Sequence, residues 1–248
     1  KKVATGVGAK TGTRNSPTVL NSVFNEFQFW DGRAAGLEDQ AKGPMINPVE
    51  MGMASHEVVT AAVAKVPEYQ AEFQKVFGRE PNIDTIVQAI ASFERTVVSG
   101  NSKVDRFLAG DKAALSESGQ RGWALWNGKA RCNTCHALGE ATPNLTDNKF
   151  HNIGVGINGV QNDVPALAGE FLQAKATLAE VDVKVLGDKR TSELGRFAVS
   201  RDFEGLGAFK TPTLRNAAVT SPYMHDGSVK TLKDVVVHYN NGGVTKEG

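Results

Sequence analysis

The chain has 248 residues, with 28 Lys and Arg against 27 Asp and Glu, so its formal net charge is +1. A near-neutral chain gives no electrostatic reason to bind nucleic acid or an anionic membrane. The longest apolar runs are only a few residues, far below the roughly 20 that a membrane-spanning helix needs. We therefore expect no nucleic-acid partner, no membrane span, and either one large domain or two smaller ones.

Apolar residues with helical spacing follow four residues that favour helix N-caps, which predicts a helix after each of them. These residues are Ser55, Asp84, Ser116 and Thr231. Strand signals are sparse. Long connections rich in Gly, Pro and Asn separate the helices, notably residues 139–169, and loops of this length commonly wrap a cofactor. The pattern predicts a mainly α protein with long loops.

Residues 131–136 read Arg-Cys-Asn-Thr-Cys-His, and Cys-x-x-Cys-His is the attachment signature of c-type haem. Cysteines three apart on a helical turn face the same way, so both thiols can reach the haem vinyl groups. The residue that follows them projects its imidazole toward the iron. We therefore predict that Cys132 and Cys135 attach haem c and that His136 is the proximal ligand.

Two other sites use the Cys-x-x-Cys pattern, a structural zinc site and a redox disulfide. Cys132 and Cys135 are the only cysteines of the chain, so a zinc site would need distant histidines to complete four ligands. A thioredoxin-like site should follow a strand in a βαβ pattern, which the sequence lacks. Both alternatives are weaker than haem attachment.

The chain contains an internal repeat, because residues 17–40 align without gaps on residues 212–235. Seven of the 24 aligned positions are identical, and most are Pro, Gly, Asp or Asn, the types that specify turn conformations. The offset of 195 residues is too long for a solenoid. We predict two homologous domains, residues 1–100 and 101–248. The haem motif of the first would then lie before residue 1.

Several motifs, in this order, resemble the bacterial dihaem cytochrome c peroxidases and their relative MauG. They occupy residues 14–18, 29–34, 47–51, 132–136, 212–216 and 222–227. The resemblance implies a periplasmic protein of two cytochrome c-like domains. An N-terminal haem would react with peroxide, and a C-terminal haem would transfer electrons. The family's leading haem motif and closing helix are not within these 248 residues.

The same resemblance implies roles for three residues of the first domain. Glu50 matches the catalytic glutamate, a carboxylate suited to moving a proton between the two peroxide oxygens. Gln40 matches its hydrogen-bonding companion. Trp30 matches the aromatic residue that lies between the two haems and can relay an electron. Without the resemblance, Glu50 reads as a solvated loop residue and Trp30 as an ordinary buried one.

The sixth ligand of the C-terminal haem is open among four residues of one segment, Met224, His225, His238 and Tyr239. Family register favours Tyr239, where MauG has tyrosine and typical peroxidases have methionine. The repeat places Pro44 at the equivalent position of the first domain, and proline cannot ligate iron. We therefore expect Tyr239 to fill the sixth coordination position of the C-terminal haem iron, whereas Pro44 would leave that position of the N-terminal haem iron open. Met224 is the rival ligand.

Two more expectations come from the resemblance. Val7 stands where many family members have a histidine that blocks the peroxide haem, so we expect an open haem. Asn15 and the carbonyl groups of Thr220 and Pro222 match a calcium site between the haems, and oxygen donors suit calcium. Asn15 alone reads more simply as a turn residue.

The leading functional hypothesis is reduction of hydrogen peroxide with electrons from a small periplasmic cytochrome c or cupredoxin. The alternative is MauG-like oxidation of residues in a partner protein, which Tyr239 favours. A third hypothesis, an electron-carrier cytochrome c, leaves Glu50, Gln40 and Pro44 without a role. Self-association into a homodimer is left open.

Overall fold

The computed structural model describes residues 2–139, 144–173 and 177–243, and it is mainly α-helical over these residues. Two short antiparallel strands pair Phe150 with Lys210 and His151 with Phe209. The helices and strands are α1 (Leu37–Ile46), α2 (His56–Ala64), α3 (Pro67–Phe77), α4 (Ile83–Glu94), α5 (Lys103–Leu108), α6 (Glu117–Asn127), β1 (Phe150–His151), α7 (Val164–Gln173), α8 (Leu178–Gly187), α9 (Lys189–Ser192), α10 (Phe197–Ser200), β2 (Phe209–Lys210) and α11 (Leu232–Asn240). Within the described ranges, none of the helices has the length and apolar character to cross a membrane.

Three of the four predicted helix starts are confirmed. Ser55, Ser116 and Thr231 each accept a hydrogen bond from a backbone N–H in the first turn of α2, α6 and α11. The start predicted at Asp84 is wrong by two residues. The N-cap of α4 is Asn82, which forms a capping box with Thr85 and satisfies two orphan backbone groups that Asp84 would leave open.

The long connection predicted over 139–169 is partly wrong. Residues 140–143 lie outside the described ranges, but β1 occupies 150–151 and α7 begins at Val164. Burial of Leu167, Ala168 and Phe171 against neighbouring helices stabilises α7 within a segment whose Gly and Pro content suggests a loop. Tertiary packing therefore overrides the local signal.

Two separate hydrophobic cores hold the helices. The smaller joins α1, α2 and α4, and the larger joins helices α7 to α10. The buried members of the first are Ala41, Met45, Val59, Ile86 and Val87. The buried members of the second are Leu167, Ala168, Phe171, Val181, Val185, Leu186, Leu194, Phe197 and Ala198. Val49, from the loop after α1, packs against the second core and so connects the two.

The predicted repeat is confirmed in the backbone. Helix α1 begins at Leu37 and α11 at Leu232, which are 195 residues apart. The segments before them share unusual conformations at the same offset. These are the left-handed caps Asn21 and Asn216, the antiparallel bridges Gln28–Ala34 and Tyr223–Val229, the left-handed residues Phe29 and Met224, and the left-handed glycines Gly32 and Gly227.

The two repeats also contact each other reciprocally. The backbone N–H of Asn15 donates to the carbonyl of His225 at 2.7 Å, and that of Lys210 donates to the carbonyl of Trp30 at 2.7 Å. Asn15 and Lys210 are 195 residues apart, as are Trp30 and His225. An exchange of equivalent contacts of this kind relates the repeats by a local pseudo-two-fold axis, and Trp30 lies beside that axis.

Buried polar contacts cross between the two halves of the sequence. Arg14 donates to Asp31 at 2.6 Å and to the backbone carbonyl of Ser192 at 2.8 Å. Arg33 donates to Asp31 at 3.0 Å and pairs with Asp182 of α8 at 2.6 Å. The division into 1–100 and 101–248 therefore describes the sequence, whereas helices α7 to α10 pack in space against the N-terminal half.

Candidate haem and peroxide site

The haem motif lies on a 3₁₀ turn, Cys132–Thr134, that follows α6. The N–H of His136 donates to the carbonyl of Cys132 at 2.9 Å, which closes the turn. Both cysteines are free thiols and half-buried. Burial raises the pKa of the Cys132 thiol. A redox-active cysteine has a lowered pKa, so the setting does not favour thiol–disulfide exchange.

The ring of His136 is oriented as a haem ligand requires. Its Nδ1 lies 3.0 Å from the carbonyl oxygen of Leu145, so Nε2 is left for iron. Burial lowers the pKa of His136, although the carbonyls of Leu145 and Pro212 oppose that effect. A lowered pKa keeps the imidazole neutral, which is the form that ligates metal. The two thiols and this imidazole therefore fit a covalently attached haem.

The candidates for the sixth ligand differ in their surroundings. Partial burial raises the pKa of Tyr239, and so do the charges of Cys135 and Cys132 in the haem motif. His225 is engaged elsewhere, because its Nε2 lies 2.7 Å from Glu193 and its side chain is 3% exposed. Met224 is half-buried with a left-handed backbone. On α11, His238 has a buried Nε2 without a hydrogen-bond partner among the described residues.

One observation supports the alternative of a zinc site, and another argues against it. Cys135, Asp147 and His151 present ligand atoms within 4.8 Å of one another. Cys132 is not part of this group, and a closed zinc site needs four ligands. Asp147 and His151 also pair with each other, at 2.7 Å. Within the described ranges, the cluster is an incomplete zinc site beside a complete haem motif.

Glu50 lies in the loop that follows α1. Burial raises the pKa of Glu50, the charge of Asp182 raises it further, and Arg33 lowers it. Its Oε2 is buried and has no hydrogen-bond partner among the described residues. A carboxyl group in this state holds its proton more tightly than an ordinary glutamate, and such perturbed groups are common at functional sites. The structure therefore corrects the simpler interpretation of Glu50 as a solvated loop residue.

Helix α1 and the Glu50 loop are joined by backbone hydrogen bonds. The N–H of Met51 donates to the carbonyl of Pro44 at 3.1 Å, so the two predicted residues Pro44 and Glu50 lie close together. Gln40 precedes Pro44 by one helical turn and so shares its face of α1. The N–H of Val7 donates to the carbonyl of Glu50 at 2.7 Å, which brings the Val7 segment to the same loop.

Trp30 and the predicted calcium ligands meet at the pseudo-two-fold axis. The indole N–H of Trp30 donates to the carbonyl of Asn15 at 2.7 Å, and the side-chain amide of Asn15 donates to the carbonyl of Pro222 at 2.7 Å. Thr220 is two residues from Pro222, and its hydroxyl donates to the carbonyl of Asn216. The structure thus brings Trp30, Asn15 and Pro222 together between the repeats.

Sequence reasoning missed the buried polar network behind Glu50. Arg33 and Asn47 belong to quoted motifs, but nothing in their spacing shows that they meet. Asp182 stands in no motif, and its helical segment gives no sign of its partners. Arg33 donates to Asp182 at 2.7 Å, and Asn47 donates to it at 2.5 Å.

This fold and site define a mainly α protein with an internal repeat and a Cys-x-x-Cys-His motif, residues 132–136, whose side chains fit a c-type haem. Residues 1–113 match the family model for di-haem cytochrome c peroxidase. The chain is 38% identical over 237 residues to a cytochrome c551 peroxidase of Nitrosomonas europaea, and 36% identical over 242 residues to the methylamine utilization protein MauG of Methylorubrum extorquens. Over nearly its whole length, the chain is similar to the di-haem cytochrome c peroxidases and to MauG.

The alignments cover most of this chain and a smaller share of its relatives. They span 94% of the chain and 61% of the N. europaea protein, and 95% of the chain and 44% of the cytochrome c peroxidase Ccp of Escherichia coli. A solved MauG-like protein associated with microbial copper homeostasis is 29% identical, with a TM-score of 0.77 over 100% of this chain and 68% of its own. The diheme peroxidase BthA of Burkholderia thailandensis, 22% identical with a TM-score of 0.71 over 96% of this chain and 60% of its own, shares the fold.

Proposed function

We propose that the protein containing this chain is a dihaem peroxidase that reduces hydrogen peroxide to water. The proposal rests on the contrast between Glu50 in the first repeat and Tyr239 in the second. In the first repeat, Oε2 of Glu50 is buried without a hydrogen-bond partner among the described residues, and its loop is bonded to Pro44, whose side chain cannot ligate iron. The equivalent position in the second repeat is Tyr239, which lies near the haem motif. One repeat is thus suited to open-site chemistry and the other to electron transfer.

Haem c supplies the redox centre, an iron that binds and reduces peroxide in the first repeat and passes electrons in the second. Cys132 and Cys135 would attach the second haem, and His136 and Tyr239 would hold its iron. The overall reaction consumes one hydrogen peroxide, two electrons and two protons and yields two water molecules. The electrons come from a small reduced protein, a cytochrome c or a cupredoxin.

Glu50 moves the proton that peroxide cleavage requires. In its ionised form it would take the proton from one oxygen of hydrogen peroxide and would return the proton to the other, departing oxygen. Its raised pKa makes Glu50 a stronger base than an ordinary glutamate, which favours the first of these two transfers. Gln40 lies on the same helix face as Pro44 and would hydrogen-bond bound peroxide. Glu50 and Gln40 are thus the proposed acid-base and binding groups.

Trp30 provides a route for electrons between the repeats. Its carbonyl accepts from Lys210 of β2, and its indole N–H donates to Asn15, so the ring is held beside the pseudo-two-fold axis. An indole held between two redox centres can relay an electron. The proposed division into an N-terminal peroxide domain, 1–100, and a C-terminal electron-transfer domain, 101–248, follows this arrangement.

A calcium ion is proposed between the repeats. A half-turn of the Asn15 amide exchanges Nδ2 for Oδ1 and would place an oxygen donor beside the Pro222 carbonyl. The carbonyl of Thr220 would be the third protein donor, and oxygen donors are those that calcium prefers. We further propose a periplasmic location, which the family and the covalent haem motif support. Homodimer formation stays a hypothesis.

A second candidate function is MauG-like oxidation of a partner protein, and Tyr239 is the observation that favours it. A phenolate oxygen stabilises ferric and higher oxidation states more than methionine sulphur does. In this case electrons would be drawn inward from a residue of the partner rather than supplied by a donor protein. Turnover kinetics separate the two candidates.

The test is the reaction of the full-length protein, carrying both haems, with peroxide and a reduced small cytochrome c. We expect two donor molecules oxidised per peroxide, with fast and sustained turnover. Slow turnover together with a long-lived oxidised state of both haems would favour the MauG-like candidate. A Cys132→Ala/Cys135→Ala variant is the control, because it keeps the first repeat but lacks the electron-entry haem. No reaction of either kind in the full-length protein would contradict both proposals.

A further inference from the structure

Asp182 of α8 is a buried carboxylate with both oxygens engaged by residues from the N-terminal half. It is 8% exposed. Its Oδ1 accepts from Arg33 Nε at 2.7 Å and from Arg33 NH2 at 2.6 Å. Its Oδ2 accepts from the side-chain amide of Asn47 at 2.5 Å. A buried carboxylate that makes charge-assisted hydrogen bonds on both sides holds its partners in one geometry.

Asn47 uses each of its polar groups to shape the loop that carries Glu50. It is 1% exposed and is the C-cap of α1, where its N–H donates to the carbonyl of Gly43. Its Oδ1 accepts from the N–H of Val49 at 3.0 Å. Its carbonyl accepts from the N–H groups of Glu50 and Gly52, both at 3.0 Å. The position of Glu50 therefore depends on the position of Asn47, which Asp182 holds.

The charges that act on Glu50 come from two elements, Asp182 from α8 and Arg33 from the segment before α1. Lys10, from the N-terminal segment, donates to the carbonyl of Pro48 in the same loop. The carboxylate of Asp182 disfavours ionisation of Glu50, and the guanidinium of Arg33 favours it. Neutralising Asp182 would remove the repulsion between the two carboxylates and would leave the charge of Arg33 less compensated. Both effects favour the ionised form of Glu50, so both would lower its pKa.

We propose that Asp182 is a positioning residue for Glu50: it holds Asn47, and with it the Glu50 loop, and it keeps a buried negative charge beside that loop. The proposal rests on the proposed function of Glu50. It gives α8, which belongs to the C-terminal half of the sequence, a direct part in the peroxide site of the N-terminal half.

Two variants of the full-length, haem-loaded protein separate the two parts of the proposal. Asp182→Asn keeps the shape and one acceptor oxygen but removes the charge. We expect the acid limb of the peroxide rate against pH to move to lower pH, by about one pH unit. Asp182→Ala also releases Asn47, and we expect the plateau rate to fall about 10- to 100-fold. Glu170→Gln, an exposed carboxylate on neighbouring α7, is the matched control and should change neither quantity.

A second readout does not depend on turnover. The carboxyl C=O stretch of protonated Glu50, assigned by its loss in Glu50→Gln, can be titrated by infrared difference spectroscopy. Its midpoint should move to lower pH in Asp182→Asn. If Asp182→Ala does not fold, the Asp182→Asn midpoint still decides the matter. An unchanged midpoint in Asp182→Asn, or a wild-type rate in a folded Asp182→Ala, would overturn the proposal.

The control for the proposed function is Glu50→Gln itself. If this variant reacts with peroxide at the wild-type rate, the role of Glu50 fails, whatever Asp182 does. If it is inactive while both Asp182 variants behave as the wild type, only the positioning role of Asp182 fails. The two failures are therefore distinguishable.

Discussion

Segments 15–45 and 210–240 follow the same backbone path, yet they present different side chains at the same places. Pro44 of α1 corresponds to Tyr239 of α11, Trp30 to His225, and Asn15 to Lys210. The shared turns and caps set where each side chain lies, and the side chain sets what it can bind. A duplicated backbone can thus carry two different sets of side chains, because only seven of the 24 aligned positions are identical.

The largest expected effect is on the rate of peroxide reduction, and it comes from substituting Glu50, a carboxyl group that the second repeat lacks. Glu50→Gln keeps the size of the side chain but cannot transfer a proton, so we expect peroxide reduction to fall about 10²- to 10⁴-fold. The haem spectra should be unchanged. Stopped-flow mixing with peroxide measures the rate, and a loss smaller than about threefold would contradict the role of Glu50.

The aspartates at 31 and 226 are equivalent, and their substitution should differ in cost. Asp31 is fully buried with Arg14 and Arg33, whereas Asp226 accepts a local hydrogen bond from Ser228. We expect Asp31→Asn to lower the free energy of unfolding by about 3–5 kcal/mol because it leaves buried guanidinium groups unpaired. Asp226→Asn should cost about 1 kcal/mol. If chemical denaturation showed that Asp31→Asn and Asp226→Asn lower the free energy of unfolding equally, this expected difference would be contradicted.

Low pH should also remove the contribution of Asp31 to the free energy of unfolding. Burial would raise the pKa of Asp31, but Arg33 and Arg14 outweigh it and hold the pKa at about 2. Its contribution to stability is therefore complete above the ordinary pKa of aspartate and is lost as the pH falls from about 4 toward 2. Denaturant midpoints measured over this range should fall more steeply in the wild type than in Asp31→Asn.

Calcium should distinguish Asn15 from its counterpart Lys210. If calcium binds at Asn15, Thr220 and Pro222, a concentration of about 100 times its Kd adds about 2.7 kcal/mol to the free energy of unfolding. A chelator should remove this gain, and Asn15→Leu should abolish it. Lys210→Gln, at the equivalent position of the other repeat, is the control and should keep the calcium response. A full response in Asn15→Leu would refute the site.

The smallest expected effect on stability is at the sixth ligand. Tyr239 is 51% exposed, so Tyr239→Phe should change the free energy of unfolding by no more than about 0.5 kcal/mol. It should nevertheless change the absorption and magnetic resonance spectra of the C-terminal haem, because the oxygen ligand is lost. Pro44→Ala should leave these spectra unchanged. An unaltered spectrum in Tyr239→Phe would return the choice to Met224 or His238.

The sequence alone determined the haem motif, the repeat and three of the four predicted helix starts. These depend on local chemistry: the spacing of Cys132, Cys135 and His136, the turn residues shared at an offset of 195, and the capping side chains. Helix α4 was misplaced because Asn82 and Asp84 are both good caps, and only the capping box with Thr85 selects between them.

Only the tertiary structure showed what surrounds Glu50. The bonds from Arg33 and Asn47 to Asp182 join residues more than 130 positions apart, and no periodicity or motif encodes such a meeting. Burial decides it, because a carboxylate that loses water must gain partners wherever the chain brings them. The raised pKa of Glu50 also depends on the tertiary structure, because burial is its first cause. Local residue types specify the turns and the haem motif, whereas the environment of a buried charge exists only after the halves have packed.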